Sequence, residues 1–246
     1  MDRLESLPLL VDVQPAELLV HDATEDCPYL PGRTARMPLR LPVRNLSGAE
    51  LDSRLARGDR RHGALFYRPS CPRCQACEAI RLRRGFPLSR THKRILRRGD
   101  RELRVELGPP FVSDERVALY DAHRFQRGLA RPGAPSMDSL GYQRFLVDRQ
   151  CEAFELRYYL GDKLVGVAVT DRGKESLSAV YCYYDPTLPK LSLGTYSILT
   201  QLRLCEEWNL EYLYLGLYIA GCSAMTYKAR FRPHERLIGE QWTRFQ

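Results

Sequence analysis

No apolar run in this chain approaches the ~20 residues that a membrane-crossing helix requires. No secretory leader is expected at Met1–Val13 either, because Asp2, Glu5, Pro8 and Asp12 interrupt the segment. Both absences lead to the expectation of a cytoplasmic protein. Its eight cysteines are then reduced, and serve as ligands or core residues rather than as a disulfide frame. Histidine is scarce. His21, His62, His92, His123 and His234 are too scattered to pair as metal ligands, and none adjoins a serine or cysteine in a hydrolase motif, which argues against a histidine-based triad. Inspection finds neither an internal repeat nor a low-complexity tract.

What is present is a soluble composition, 44% hydrophobic and 28% charged over 246 residues, enough for one large domain or two small ones. The formal net charge of +8 is concentrated in one place. Between Arg81 and Arg104 lie ten basic residues, opposed only by Asp100 and Glu102, so the remainder of the chain is neutral. Concentrated arginine is the footprint of a polyanionic partner, since each neutralised phosphate releases counterions. A solvated basic helix without a ligand is the competing account.

The pattern of turns and periodic segments predicts α/β (α+β) architecture. Strands are expected at Glu17–His21, Arg33–Val43, Ala64–Tyr67 and Ala79–Arg83. Ser47 with Glu50 forms a capping box that opens a helix closed by Gly58. Ser89 caps a basic helix from Arg90 to Arg98, ended by Gly99. A boundary near Gly108-Pro109-Pro110 divides residues 1–108 from residues 109–246. Beyond it, helices are predicted from Ser113 to Arg127 and over Ser139–Asp148. A hairpin follows, Ala153–Leu160 and Leu164–Asp171, then a strand over Ser176–Tyr184. After these come a helix bearing Ile198, Leu202, Cys205 and Asn209 on one face, a strand at Tyr212–Leu217, a short helix at Met225–Arg230 and a last strand at Leu237–Trp242. This order is that of an acetyltransferase-type (GNAT-like) core, in which central strands splay to admit a donor and an amine from opposite sides; many α+β domains share it.

Three blocks carry chemistry. Cys71, Cys74 and Cys77 sit two residues apart in one loop, and tetrahedral zinc or a four-iron cluster needs a fourth ligand, for which Cys27 is the candidate. The alternative is a metal-free knot of reduced thiols. Cys151, Cys182, Cys205 and Cys222 lie in periodic contexts and read as core residues. Lys228, Arg230 and Arg232 follow a tyrosine-rich strand and suit bidentate pairing with a carboxylate if they line a cleft; a solvated helix end is the competing reading. Ser192, Gly194, Thr195 and Tyr196 lie where a strand, a loop and a helix meet, an amide nest able to hold an anion. The second glycine that coenzyme A-dependent acetyltransferases carry in this turn is missing, which weakens a pyrophosphate cradle.

Cys27-Pro28-Tyr29-Leu30-Pro31, the run from Tyr67 to Cys77, Tyr184-Asp185-Pro186, Ser192 to Tyr196 and the run from Tyr227 to Pro233 together resemble the aminoacyl-tRNA–protein transferases. The resemblance spans nearly the whole chain, and its compact length is similar to the bacterial branch, which moves leucine onto N-terminal Asp or Glu and so marks proteins for degradation. It implies an acetyltransferase-like C-terminal domain, a smaller cysteine-bearing N-terminal domain, and aminoacyl-tRNA and acidic N-termini as partners. No cofactor is needed for the chemistry, although some members bind an iron–sulfur cluster through N-terminal cysteines. By the same resemblance Tyr184 and Asp185 are catalytic candidates, while Lys228, Arg230 and Arg232 read the acidic acceptor. Ser192, Gly194, Thr195 and Tyr196 would meet the terminal nucleotide, and Arg90, Lys93, Arg94, Arg97 and Arg98 the tRNA backbone. Arginyl transfer, coenzyme A-dependent N-acetylation and a non-enzymatic zinc-knuckle module for nucleic acid are the alternatives.

Overall fold

The computed structural model describes residues 7–131 and 133–246. The first residues of the segment read as no leader, and one position of the loop between Ala130 and Ser136, lie outside them. The chain is a mixed α+β fold. Its first part forms β1 (Leu9–Leu10), β2 (Glu17–His21), β3 (Thr24–Asp26), β4 (Thr34–Arg36), β5 (Leu39–Pro42), α1 (Gly48–Ala56), β6 (Arg60–His62) and β7 (Leu65–Tyr67). Next come β8 (Glu78–Arg83), α2 (Arg90–Glu102), β9 (Arg104–Gly108), α3 (Asp114–Gln126) and α4 (Ser139–Tyr142). The last part holds β10 (Ala153–Leu160), β11 (Lys163–Arg172), β12 (Ser176–Tyr184), α5 (Leu193–Glu207), β13 (Tyr212–Tyr218), α6 (Ser223–Thr226), β14 (His234–Ile238) and β15 (Gln241–Phe245).

These strands build a five-stranded sheet, order β1-β2-β5-β7-β6, and an eight-stranded sheet, order β15-β14-β8-β13-β12-β11-β10-β9; β3 and β4 pair apart. The large sheet is antiparallel except where β12 meets β13. Two apolar layers sandwich it. On one side α2 and α5 contribute Leu96, Tyr196, Leu199 and Leu202 to a core with Ile80, Leu82 and Leu213. On the other, Leu119 and Tyr120 of α3 pack with Leu146, Val167 and Tyr183. β8 and β9, from before residue 108, hydrogen-bond within this large sheet, so the expected boundary does not separate the two sheets. A buried ion pair also joins them: Arg61 of β6 donates its Nε to both Asp171 oxygens of β11 at 2.9 Å.

Local signals read correctly include the Ser47–Glu50 capping box, the Ser113 cap and the β10–β11 hairpin. Four differ. The Arg33–Val43 strand is two strands, β4 and β5, with Met37 and Pro38 between them. The Ser139–Asp148 helix is one α turn followed by a π-helical turn, Gln143–Val147. The last strand is a hairpin, β14–β15, turned at Gly239, whose φ of 61° lies in the left-handed region. Most informative is Gly99, which does not end α2: the helix continues to Glu102.

Gly99 is there for packing. It is buried, and a Cβ would overlap the Tyr196 ring carbons of α5. The Tyr196 hydroxyl reaches past it to donate to Asp100 Oδ1 at 2.9 Å, and Arg203 of α5 grips the same carboxylate at 2.8 Å. The glycine thus trades helix propensity for close approach of two helices. Gly99→Ala is expected to lower the unfolding free energy by about 1–3 kcal/mol, the usual cost of overpacking, read by urea denaturation. An unchanged midpoint would mean that α2 is not held against α5.

Candidate functional site

The parallel pairing of β12 and β13 covers only Ser176↔Tyr212, Leu177↔Leu213 and Ser178↔Tyr214. Beyond it the strands part. On its other edge β13 also loses register with β8 between Tyr214 and Leu217. Gly216 sits at this break with φ 83°, a left-handed conformation that favours glycine. The short helix α6 and the 3-10 turn that follows it, Tyr227–Arg230, fill the opening. Lys228 Nζ donates to the Leu217 carbonyl of β13 at 2.7 Å and to Met225 Sδ at 3.2 Å. Tyr227 lies within electrostatic reach of Cys182 and Tyr184 on β12. Adjacent residues of one turn therefore bond one parted strand and lie within electrostatic reach of the other.

Tyr184 ends β12. Its hydroxyl accepts from Arg127 Nη1 at 2.5 Å, and its ring lies against Gly194 at the start of α5. The His123 ring packs edge-on at 4.5 Å, with Nδ1 3.0 Å from the Tyr184 carbonyl oxygen. Burial raises the Tyr184 phenol above its ordinary pKa, and Arg127 partly offsets this. Sequence reasoning missed both partners. They stand four apart at the end of α3, a spacing that puts two side chains on one helical face, and this was the available signal. Asp185, the other catalytic candidate of the sequence, is hydrogen-bonded on both carboxylate oxygens. It accepts from Lys163 Nζ at 2.8 Å and from the Thr187 hydroxyl and amide at 2.5 and 3.0 Å. Burial pushes its carboxyl up, but these hydrogen bonds outweigh that and hold it below the usual range. A carboxylate so occupied fixes the turn after β12 and is a poor proton acceptor.

The turn that opens α5 begins at Ser192, whose φ of 50° and ψ of 42° are left-handed. Ser192, Gly194 and Thr195 are partly exposed there. Tyr196 is not: it is 1% exposed and belongs to the α2–α5 contact. Arg98 of α2 donates to the Lys190 carbonyl at 3.1 Å, just before this turn. Arg90, Lys93, Arg94, Arg97 and Arg98 are all exposed on α2. The basic face and the α5 turn are thus neighbours. The three basic residues after β13 do not stay together. Lys228 is buried, Arg230 is exposed, and Arg232 is exposed and donates to the terminal Gln246 carbonyl.

The cysteine loop packs against this region. Cys27, Cys71 and Cys74 each accept an N–H at sulfur, from the amides of Leu30 and Arg36 at 3.4 Å and from the Ala76 amide, and Arg33 adds a side-chain donor to Cys74 at 3.4 Å. These donors lower the Cys74 pKa, the Ala76 amide most. Cys77 is pushed up to about 12, mainly by burial and then by Cys71, Cys27, Cys74 and Cys222. Cys222, expected in the core, is therefore a neighbour of this group, and only half buried. The amide-to-sulfur bonds suit thiolates chemically. Yet among the described residues no three His, Cys, Asp or Glu side chains stand where one metal ion would be held. As arranged, the thiols do not fit an ion. Nor is any helix of the described residues long and apolar enough to cross a membrane.

A cavity of about 280 Å³ lies to the side, lined among others by Glu25, Tyr29, Met37, His62, Tyr67 and Arg131. Arg131 follows Arg127 by four residues, so one segment borders both the cavity and the Tyr184 hydroxyl.

Residues 25–94 match the family described as "Arginine-tRNA-protein transferase, N terminus", and residues 115–238 its C-terminal counterpart. An aspartate/glutamate leucyltransferase of Alkalilimnicola ehrlichii is 40% identical over 88% of this chain and 91% of its own. One from Halorhodospira halophila is 37% identical over 91% and 95%, and one from Vibrio cholerae 35% over 88% and 92%. Joined to a parted sheet beside an exposed arginine helix, these matches mean that the chain belongs to the aminoacyl-tRNA–protein transferase family.

Proposed function

We propose that this enzyme moves leucine from leucyl-tRNA to the α-amine of proteins that begin with Asp or Glu, in the cytoplasm, and so marks them for degradation. The observation that carries this reading is the contact between the basic face of α2 and the turn opening α5, made by Arg98 on the Lys190 carbonyl at 3.1 Å. An RNA held on the arginines by its phosphates would deliver its 3′ end to the first amides of α5, where partial positive charge meets an anion. The names of the relatives favour leucine over arginine as the group carried.

Transfer from an ester to an amine is downhill, so catalysis rests mostly on alignment, which can supply several kcal/mol. In our reading the region from β10 to α6 is an acetyltransferase-like core, with the β12–β13 opening as the meeting place. The five-stranded sheet and cysteine loop of the N-terminal part buttress it. Tyr184, backed by Arg127 and His123, lines the path of the reacting carbonyl. Ser192, Gly194 and Thr195 face the terminal nucleotide. Arg230 and Arg232 are the exposed cations available to an acidic acceptor side chain. The neighbouring cavity, apolar at Met37 and acidic at Glu25, suits the side chain and ammonium group of a leucyl ester.

Two measurements test this. Purified protein given labelled leucyl-tRNA and, separately, arginyl-tRNA with a peptide starting in Asp is expected to form the leucyl product; transfer of arginine alone, or of neither, would overturn the reading. Replacing Arg94, Arg97 and Arg98 together by Ala is expected to weaken tRNA binding and to flatten its log–log salt slope by about 2–3, given roughly 0.7–0.9 per phosphate contact. A slope identical to that of the parent protein would take α2 out of the RNA interface.

A further inference from the structure

Leucyl transfer leaves one chemical task without an owner. The acceptor α-amine has a pKa of about 8, and its nitrogen must shed a proton as it acylates. Asp185 is occupied by Lys163 and Thr187. His123 directs Nδ1 at the Tyr184 backbone. The Tyr184 phenol is held protonated by burial.

Lys228 is placed differently. It lies against β13 beyond the point where that strand leaves β12, 8% exposed, with Nζ 5.9 Å from the centroid of the Tyr227 ring, which is itself 42% exposed. Nζ also stands 3.6 Å from where a Cβ of Gly216 would be. On the other side of Gly216, Arg60 of β6 is 5% exposed and donates Nη2 to the Gly216 carbonyl at 2.9 Å. The remaining titratable groups facing the amine are Cys222 and Tyr227. No carboxylate pairs with Lys228 among the described residues; Asp59, next to Arg60, is held by Arg40 at 3.0 Å. Two buried cations thus stand beside one glycine, and among the described residues neither is in a salt bridge. A guanidinium does not give up its proton, so the relief falls on the amine. Neutral lysine has two hydrogens and one lone pair, and the Leu217 carbonyl and Met225 sulfur use the hydrogens.

We propose that Lys228 is the base of the transfer: its free lone pair takes the proton from the acceptor nitrogen as that nitrogen attacks the leucyl ester carbonyl. The C–N bond forms, the C–O bond to the ribose breaks, and the departing ribose oxygen takes the proton back from Lys228, which regenerates the amine. Burial, with Arg60 second, lowers the Lys228 pKa to about 7. The amine is therefore neutral above that pH and charged below it, and transfer rises through neutrality to a plateau. The inference deepens the proposed leucyl transfer and rests on it.

The test is the pH–rate profile of leucyl transfer to an Asp-starting peptide, for the parent protein and for Lys228→Met and Lys228→Arg. Both variants are expected to lose about 10²- to 10⁴-fold in kcat and the rising limb near pH 7, with acceptor KM little changed; Lys228→Met, which unpairs the Leu217 carbonyl, is expected to lower the thermal midpoint as well, so activity is read well below it. Arginine keeps charge and donors, so a merely structural lysine would survive that exchange. In the parent protein, acceptor peptides whose amine pKa values differ are expected to leave the limb in place, an arm that does not depend on the variants folding. A limb that follows the acceptor, one abolished by His123→Ala but not by Lys228→Met, or full activity in Lys228→Arg would overturn the assignment. Absence of leucyl transfer by the parent protein would instead overturn the function on which it rests.

Discussion

The parting of β12 from β13 after three residue pairs is the constraint around which this molecule is organised. Strand backbone left without a ladder partner must be satisfied by something else. Here a short helical segment answers on one strand through a lysine amine on the Leu217 carbonyl and meets the other through Tyr227. On the opposite edge of β13, Gly216 in its left-handed conformation stands where register with β8 is lost. A cleft between strands is thereby built into the backbone, not left to side-chain packing.

Arginine plays two opposed parts. Arg54, Arg60, Arg61 and Arg116 are buried, and three of them are neutralised by Glu17, Asp171 and Glu155. Such pairs contribute little net stability over apolar packing, but removing one partner costs about 3–5 kcal/mol, so they hold the elements they join, and Arg61 with Asp171 the two sheets, in a single arrangement. The arginines of α2 are exposed and leave their charge to solvent or a ligand. Arg60 is the exception among the buried group, because its nearest carboxylate is spoken for, and its charge acts on a neighbour instead.

Local features were legible in the sequence because they are written in adjacent residues. The Ser47–Glu50 box and the hairpin of Ala153–Leu160 with Leu164–Asp171 need no tertiary information. The cysteine run, the basic segment and the family blocks were legible in the same way. What failed depended on distant partners. Gly99 has the local look of a helix end, and only Tyr196, almost a hundred residues on, explains it. Asp185 has the look of a base until Lys163 is seen beside it. Lys228, Arg230 and Arg232 alternate in sequence like a single cationic surface, yet one turn of 3-10 helix sends the lysine inward and leaves the arginines outside. Arg127 and His123 carried no motif; their four-residue spacing puts them on one helical face, but that this face meets the end of β12 is tertiary information.

The glycine-under-tyrosine contact between α2 and α5 has an effect on how the surface can vary. A helix wedged this closely, with Asp100 clasped by Tyr196 and Arg203 beside the wedge, cannot roll about its long axis. The outward bearing of Arg94, Arg97 and Arg98 is accordingly set from beneath. Cations on that outer face can be exchanged or multiplied over time to tune grip, while the angle at which a bound polymer enters the cleft stays the same.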